Sequence, residues 1–240
     1  MSDVVTANGQ IGWIGGNGRP DLAAEHSIAA GSYKHRKPQL VTDCNACVKQ
    51  AKEHKVRIRV WPIEPKDIRF VGFCDSSFDF SGERHQQGWL VGLTNLFLND
   101  DRSAPVSIAH WRSRKLPRKA VSPQLVETYA ASYCCADLCW LRCLLYSTMY
   151  ADYDIVTQRP KHFLPVDQRA TVLRSDRPEI IDSEVMIMSD SKGLFDALNN
   201  EYTQDDKKSA VDMPIIEAMM KGIWKAPMDP PQLESCGRPH

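Results

Sequence analysis

Neither sign of charge is in excess in this chain of 240 residues: 30 Lys and Arg face 30 Asp and Glu, for a formal net charge of zero. That balance excludes binding to nucleic acid through bulk charge, although a local basic patch survives inside such a sum. No apolar run approaches the ~20 residues that a membrane span needs. The polar start Met1–Gln10 lacks the features of a signal peptide. No internal repeat is visible. Hydrophobic content of 42% and charged content of 25% are globular averages, which excludes a disordered or collagen-like chain. The glycines of Ile11–Gly18 complete neither a GxGxxG nor a GKS/T pattern, and no apolar strand precedes them. They read as a turn leading into a helix, with Pro20 near its start.

Cysteine is present, but without a framework. The eight residues are Cys44, Cys47, Cys74, Cys134, Cys135, Cys139, Cys143 and Cys236, and four of them fall inside the apolar stretch Tyr133–Leu145. There a free thiol behaves as a small buried hydrophobe. No disulfide partner is expected, and a reduced intracellular setting, cytoplasmic or nuclear, follows. Cys44-Asn-Ala-Cys47 has the spacing of half a zinc site, but a second pair is missing and the segment reads as helix. Packing is the expected role. The seven histidines show no ligand spacing, and His85 reads as a surface residue of a turn.

Periodicity gives the organisation. Gln39–His54 reads as a helix and Val56–Trp61 as a strand by its branched alternation. Strands are then expected at Arg69–Cys74, Gln87–Thr94 and Val106–Trp111, at hairpin spacing. A long helix over Ser122–Met149 has Ser122 as N-cap and Pro123 in its first turn. A fourth strand over Glu184–Met188 leads into a helix at Lys192–Asn199, with another helix from about 205 to 221. The order β-β-β-α-β-α behind a helical segment of about 60 residues is α/β.

Three acids fall at telling places in that order. Asp75 and Asp190 end the first and fourth strands, where ligands bind in sheets of this kind. Glu127 lies in the first turns of the long helix, on an otherwise apolar stretch. If the strands are neighbours and the helix crosses them, the three converge. Converging carboxylates repel one another, and a hard divalent cation such as Mg²⁺ relieves the repulsion. Two such ions clamp a phosphodiester. Between the third strand and the long helix, Arg112, Arg114, Lys115, Arg118 and Lys119 stand together with no acid, a candidate grip on nucleic-acid phosphates.

Six motifs follow one another in a recognisable order: Phe73-Cys-Asp-Ser-Ser-Phe78, Gln87-Gly-Trp-Leu-Val91, His110-Trp-Arg-Ser-Arg-Lys115, Val121–Ala130, Trp140–Leu145 and Ser189–Ala197. In this register the chain resembles the ribonuclease H domain that ends the Pol polyprotein of copia-type LTR retrotransposons. Arg19-Pro-Asp-Leu-Ala23 resembles the element joining that polyprotein's reverse transcriptase to its ribonuclease H. The resemblance implies a mixed five-stranded sheet with flanking helices at 66–226, with an insertion at about 155–180. It implies a reverse transcriptase or connection remnant at 1–62 and an irregular tail at 227–240. It also implies a metal site of Asp75, Glu127 and Asp190, Mg²⁺ or Mn²⁺ as cofactor, and two-metal hydrolysis of the RNA strand of an RNA–DNA hybrid. The partners implied are that hybrid and the reverse transcriptase part of the same Pol, with no membrane.

The family's fourth carboxylate opens a final helix after a last strand. Here Ile223–Pro227 is the strand candidate and the segment Gln232–Cys236 offers only Glu234, so the domain reads as C-terminally incomplete. Two readings stay open, an active nuclease and a ribonuclease H-fold nucleic-acid-binding remnant without turnover.

Zero net charge is thus a sum of opposed regions. Lys34–Arg59 holds eight basic and two acidic residues, whereas Asp182–Asp206 holds seven acidic and one basic.

Overall fold

The computed structural model describes residues 2–31, 38–78, 85–95, 103–117, 120, 122–149 and 185–199. The expected Ile223–Pro227 strand, the 205–221 helix, the 155–180 insertion and the tail lie outside them.

Three strands form an antiparallel ladder: β1 (Arg69–Ser77), β2 (Gln86–Thr94) and β3 (Ser107–Lys115). The fourth, β4 (Val185–Met188), pairs parallel with β1, so the sheet is mixed and its order is β3-β2-β1-β4. Opposed residues of neighbouring strands share a face, and one face meets α4 (Pro123–Met149). Phe70, Cys74, Trp89 and Val91 pack there against Ala130, Ala131, Cys134, Cys135, Leu138 and Leu141 of that helix. Val185 and Leu194 close the same core, the latter from α5 (Lys192–Asn199). Flanking helices on a mixed sheet make the chain α/β.

The start of α4 follows its sequence. The Ser122 hydroxyl accepts a hydrogen bond from the Leu125 N–H at 3.2 Å, which satisfies one orphan donor of the first turn. Its Cys134 and Cys135 pack as apolar groups, and no disulfide forms among the described residues. Interaction with Cys74 and burial raise the Cys134 thiol, and burial raises that of Cys135, far above the ordinary thiol value. Both stay protonated and unreactive.

The N-terminal segment is helical, but it begins earlier than the glycines suggest. Helix α1 (Ser2–Asn17) runs through Gly9, Gly12, Gly15 and Gly16, where a turn was expected. Tertiary contact overrides propensity at this point. A Cβ on Gly12 would lie 2.3 Å from the His26 ring, so the glycine lets α1 approach α2 (Ala23–Gly31) closely. Between them Pro20–Leu22 makes one 3-10 turn. Helix α3 (Pro38–Glu53) forms where expected, with Cys44 and Cys47 buried in two small apolar clusters.

Arg19 holds these parts together. It donates two hydrogen bonds to the Asp21 carboxylate, at 2.9 and 2.8 Å, and a third to the Ala51 carbonyl of α3 at 2.9 Å. The segment docks on the sheet through Trp111, whose indole N–H donates to the Gly15 carbonyl at 2.7 Å.

Val56–Trp61 is not a strand. Its alternation fits a ladder, but no described strand pairs with it.

Candidate metal centre

Strand register brings the first two acids level. Phe73 is opposite Met188 in the parallel β1–β4 pair, and two residues further along each chain come Asp75 and Asp190. Parallel neighbours lie ~4.8 Å apart, so Asp75, among the last residues of β1, and Asp190, just past the end of β4, come side by side.

Helix α4 supplies the third, and Gly72 allows it to do so. A Cβ on Gly72 would stand 2.4 Å from Cys134 Sγ and 2.8 Å from Leu138 Cδ1, so the missing side chain lets the helix lie directly on β1. From Gly72 to Asp75 the strand advances three residues, about 10 Å. From Cys134 back to Glu127 the helix retreats two turns, also about 10 Å. The two advances match, and Glu127 arrives over Asp75.

One carboxylate oxygen from each of Asp75, Glu127 and Asp190 lies within 4.8 Å of the other two. It is the only group of three or more potential ligands found among the described residues. Asp75 and Asp190 are exposed and Glu127 is half-buried. Glu127 Oε2 is out of solvent and has no hydrogen-bond donor. Burial pushes the Glu127 carboxyl above its ordinary value, a hydrogen bond with Ser76 opposes the rise, and the charges of Asp75 and Asp190 add to it. An orphaned carboxylate oxygen beside two open carboxylates is a set of hard donors, which suits Mg²⁺ or Mn²⁺.

The neighbouring serines are fixed. The Ser76 N–H donates to Asp75 Oδ1 at 2.7 Å. The Ser191 N–H donates to Ser189 Oγ at 3.2 Å, and Ser191 Oγ accepts from the Leu194 N–H at 3.3 Å as a cap of α5. The part of Ser76 beside Glu127 went unread in the sequence, where only its place after Asp75 could have signalled it.

The basic residues divide. Ser113, Gly88 and Asp75 stand in one row across the sheet, so Arg112 and Lys115 sit two strands from the acids, about 10 Å away. Both are exposed. Arg114 turns inward instead, its guanidinium 3.9 Å from the Tyr133 ring centroid and 5.2 Å from that of Trp89. Its Nε and Nη2 are out of solvent, and it braces β3 against α4. Arg118, Lys119 and Glu234 lie outside the described residues.

One further expectation changed. His85 is 3% exposed and stacks on Phe78 with ring centroids 4.7 Å apart, so it is a packing residue and not a surface one. Cys44 and Cys47 pack in apolar clusters, as expected, and no third ligand joins them among the described residues. A polar brace that the sequence did not single out also appears. Asp137 accepts from the Trp89 indole N–H and pairs with His110 Nδ1 at 2.8 Å, tying α4 to β2 and β3.

Comparison of the chain with protein-family models, with curated proteins and with solved structures gives no match. No helix among the described residues is long and apolar enough to cross a membrane.

Proposed function

We propose that the chain is a ribonuclease H-like nuclease derived from a retroelement Pol, which hydrolyses the RNA strand of an RNA–DNA hybrid with Mg²⁺ or Mn²⁺. One observation carries the reading: Asp75, Glu127 and Asp190, far apart in sequence, converge within 4.8 Å at one end of the sheet. Their order along the chain and the sheet that presents them agree with the resemblance drawn from the six motifs.

Asp75 is central in this reading, with Glu127 and Asp190 to either side, and the three together would hold the cation. When bound, the cation supplies Lewis-acid charge that activates a water and offsets the charge of the phosphodiester. Glu127, half-buried beside Ser76, would bring a partly desolvated carboxylate oxygen to the site. Arg112 and Lys115 lie where they can hold a phosphate backbone against the same end of the sheet. Water adds to phosphorus as the P–O3′ bond breaks, and the products are a 3′-hydroxyl and a 5′-phosphate.

The test is cleavage of a labelled RNA–DNA hybrid with Mg²⁺ or Mn²⁺, run beside Asp190→Asn. Metal-dependent cleavage by the native chain and its loss in the variant are expected. Equal cleavage by both removes the activity from this site. Tight hybrid binding with no cleavage by either leaves the alternative, a binding module without turnover.

A further inference from the structure

Residues 54–63 join α3 to β1 and belong to neither a helix nor a strand. Their sequence alternates basic and branched apolar side chains, Lys55-Val-Arg-Ile-Arg-Val60, and contains no acid. No hydrogen bond is found for the backbone of residues 55–60 among the described residues. Lys55, Arg57 and Arg59 are exposed, and none enters an ion pair among the described residues. Val60 is 77% exposed and Val56 40%. A segment with strand-like alternation, open backbone and three unpaired cations lacks a counterpart within the described fold.

It is nevertheless anchored. The Trp61 N–H donates to Ser107 Oγ at 2.9 Å, which pins the segment to the first residue of β3. The Arg59 guanidinium lies over the Trp61 ring, 4.9 Å from its centroid. At the far end of the same strand stand Arg112 and Lys115, to either side of Ser113, whose row leads through Gly88 to Asp75. Six residues separate Ser107 from Ser113, about 20 Å of strand. Exposed cations therefore mark both ends of one sheet edge.

We propose that Lys55, Arg57 and Arg59, with Trp61, form a second binding track for a nucleic-acid backbone, remote from the acidic cluster. The polyanion class of the partner rests on the function proposed above; the track itself rests on the unpaired segment. Cations at alternate positions, with no acid to neutralise them, suit the regular charge of a phosphate chain, and binding would release condensed counterions. The stacked Arg59–Trp61 pair offers a flat face of the kind on which an unpaired base rests. A nucleic-acid strand advances ~3.4 Å per nucleotide, so the track engages about six nucleotides from the cleavage position. A peptide strand is the rival occupant, since it would pair with the same open backbone.

The experiment measures affinity against salt concentration for full-length Asp190→Asn protein, in which cleavage plays no part. Its ligands are a labelled RNA–DNA hybrid and a single strand, each about 20 nucleotides long and so well beyond the span of β3. The comparison protein also carries Lys55→Gln, Arg57→Gln and Arg59→Gln, all at exposed positions, and circular dichroism checks its fold. Weaker binding of the hybrid is expected, with a log–log salt slope shallower by about 2–3. A parallel loss on the single strand would place the contact on one backbone; a loss on the hybrid alone would place it on the duplex. An unchanged affinity and slope overturns the proposal. So does weaker binding with an unchanged slope, which marks a partner held through apolar groups or backbone pairing. Failure of the native chain to cleave, with the slope altered as expected, counts against the hydrolytic reading and not against the track.

Discussion

Replacing Glu127 with Gln removes one of three mutually repelling charges, and the structure fixes the direction of the result. At the outer separation of 4.8 Å, two unit charges repel by about 1 kcal/mol in water and about 3 kcal/mol at an effective dielectric of roughly 20. Asp75 and Asp190 are exposed, so the lower figure applies to each. Glu127→Gln then relieves about 2 kcal/mol across its two pairs, and the metal-free variant melts about 4–8 °C above the native chain. The variant's amide oxygen can still accept from Ser76. Divalent ion reverses the order, because ion at about 100 times its dissociation constant adds ~2.7 kcal/mol to a chain that binds it only when folded. The native chain takes up that gain, and the variant, one ligand short, takes up less. The sign of the pH dependence agrees. Burial first, then its neighbours, raise the folded Glu127 carboxyl, so its contribution to metal-free stability is full below the unfolded value and is lost as pH rises through the folded one. Melting curves with and without Mg²⁺ or Mn²⁺, over a pH series, are the assay. A variant no more stable than the native chain without metal, together with a native chain indifferent to both ions, refutes the convergence of the three acids.

Further outcomes follow from single contacts. Gly72→Ala puts a Cβ against Cys134 and Leu138; stability measured by urea denaturation falls by about 1–3 kcal/mol, and divalent-ion affinity falls with it as α4 lifts from β1. Asp137→Ala leaves the Trp89 N–H and His110 without their acceptor, and the same measurement shows a loss of about 2–3 kcal/mol with metal affinity unchanged. The Arg19 hydrogen bonds hold the Asp21 carboxyl below its ordinary value. Its contribution to stability is therefore present above the unfolded value and lost as pH falls through the folded one, a loss that Asp21→Asn abolishes in an acid titration of the melting temperature.

What the sequence made legible was local. The strands β1 to β4 and helix α4 start where alternation, turn residues and the Ser122–Pro123 pair put them, because each signal sits in the residues that obey it. However, β1 and β3 run past their expected ends to Ser77 and Lys115, which takes Arg112, Arg114 and Lys115 into the sheet. The errors have a common cause, which is a partner distant in sequence. Gly12 argues against a helix until α2 is packed on it, when the lack of a side chain becomes the reason the helix fits. Val56–Trp61 has the pattern of a strand, but a pattern does not supply a neighbour to pair with. Arg114 reads as one more surface cation until Tyr133 is seen beneath it.

The acidic cluster stands between these cases. Its members were legible because each marks the end or the start of a strong element, and elements of known type have known advance per residue. Their convergence was not legible from Asp75, Glu127 and Asp190 themselves. It depends on Gly72, three residues before Asp75, which sets how closely α4 approaches β1, and on the β1–β4 register, which sets Asp190 level with Asp75. The chemistry is therefore positioned by residues that carry none. A change at Gly72 is expected to alter metal affinity while every ligand remains in place, whereas a change at Arg112 is expected to alter substrate affinity and leave metal binding untouched. Measuring both constants for both variants separates the scaffold of the site from its substrate contacts, and equal effects of Gly72→Ala and Arg112→Ala on metal affinity would show that the helix approach does not position Glu127.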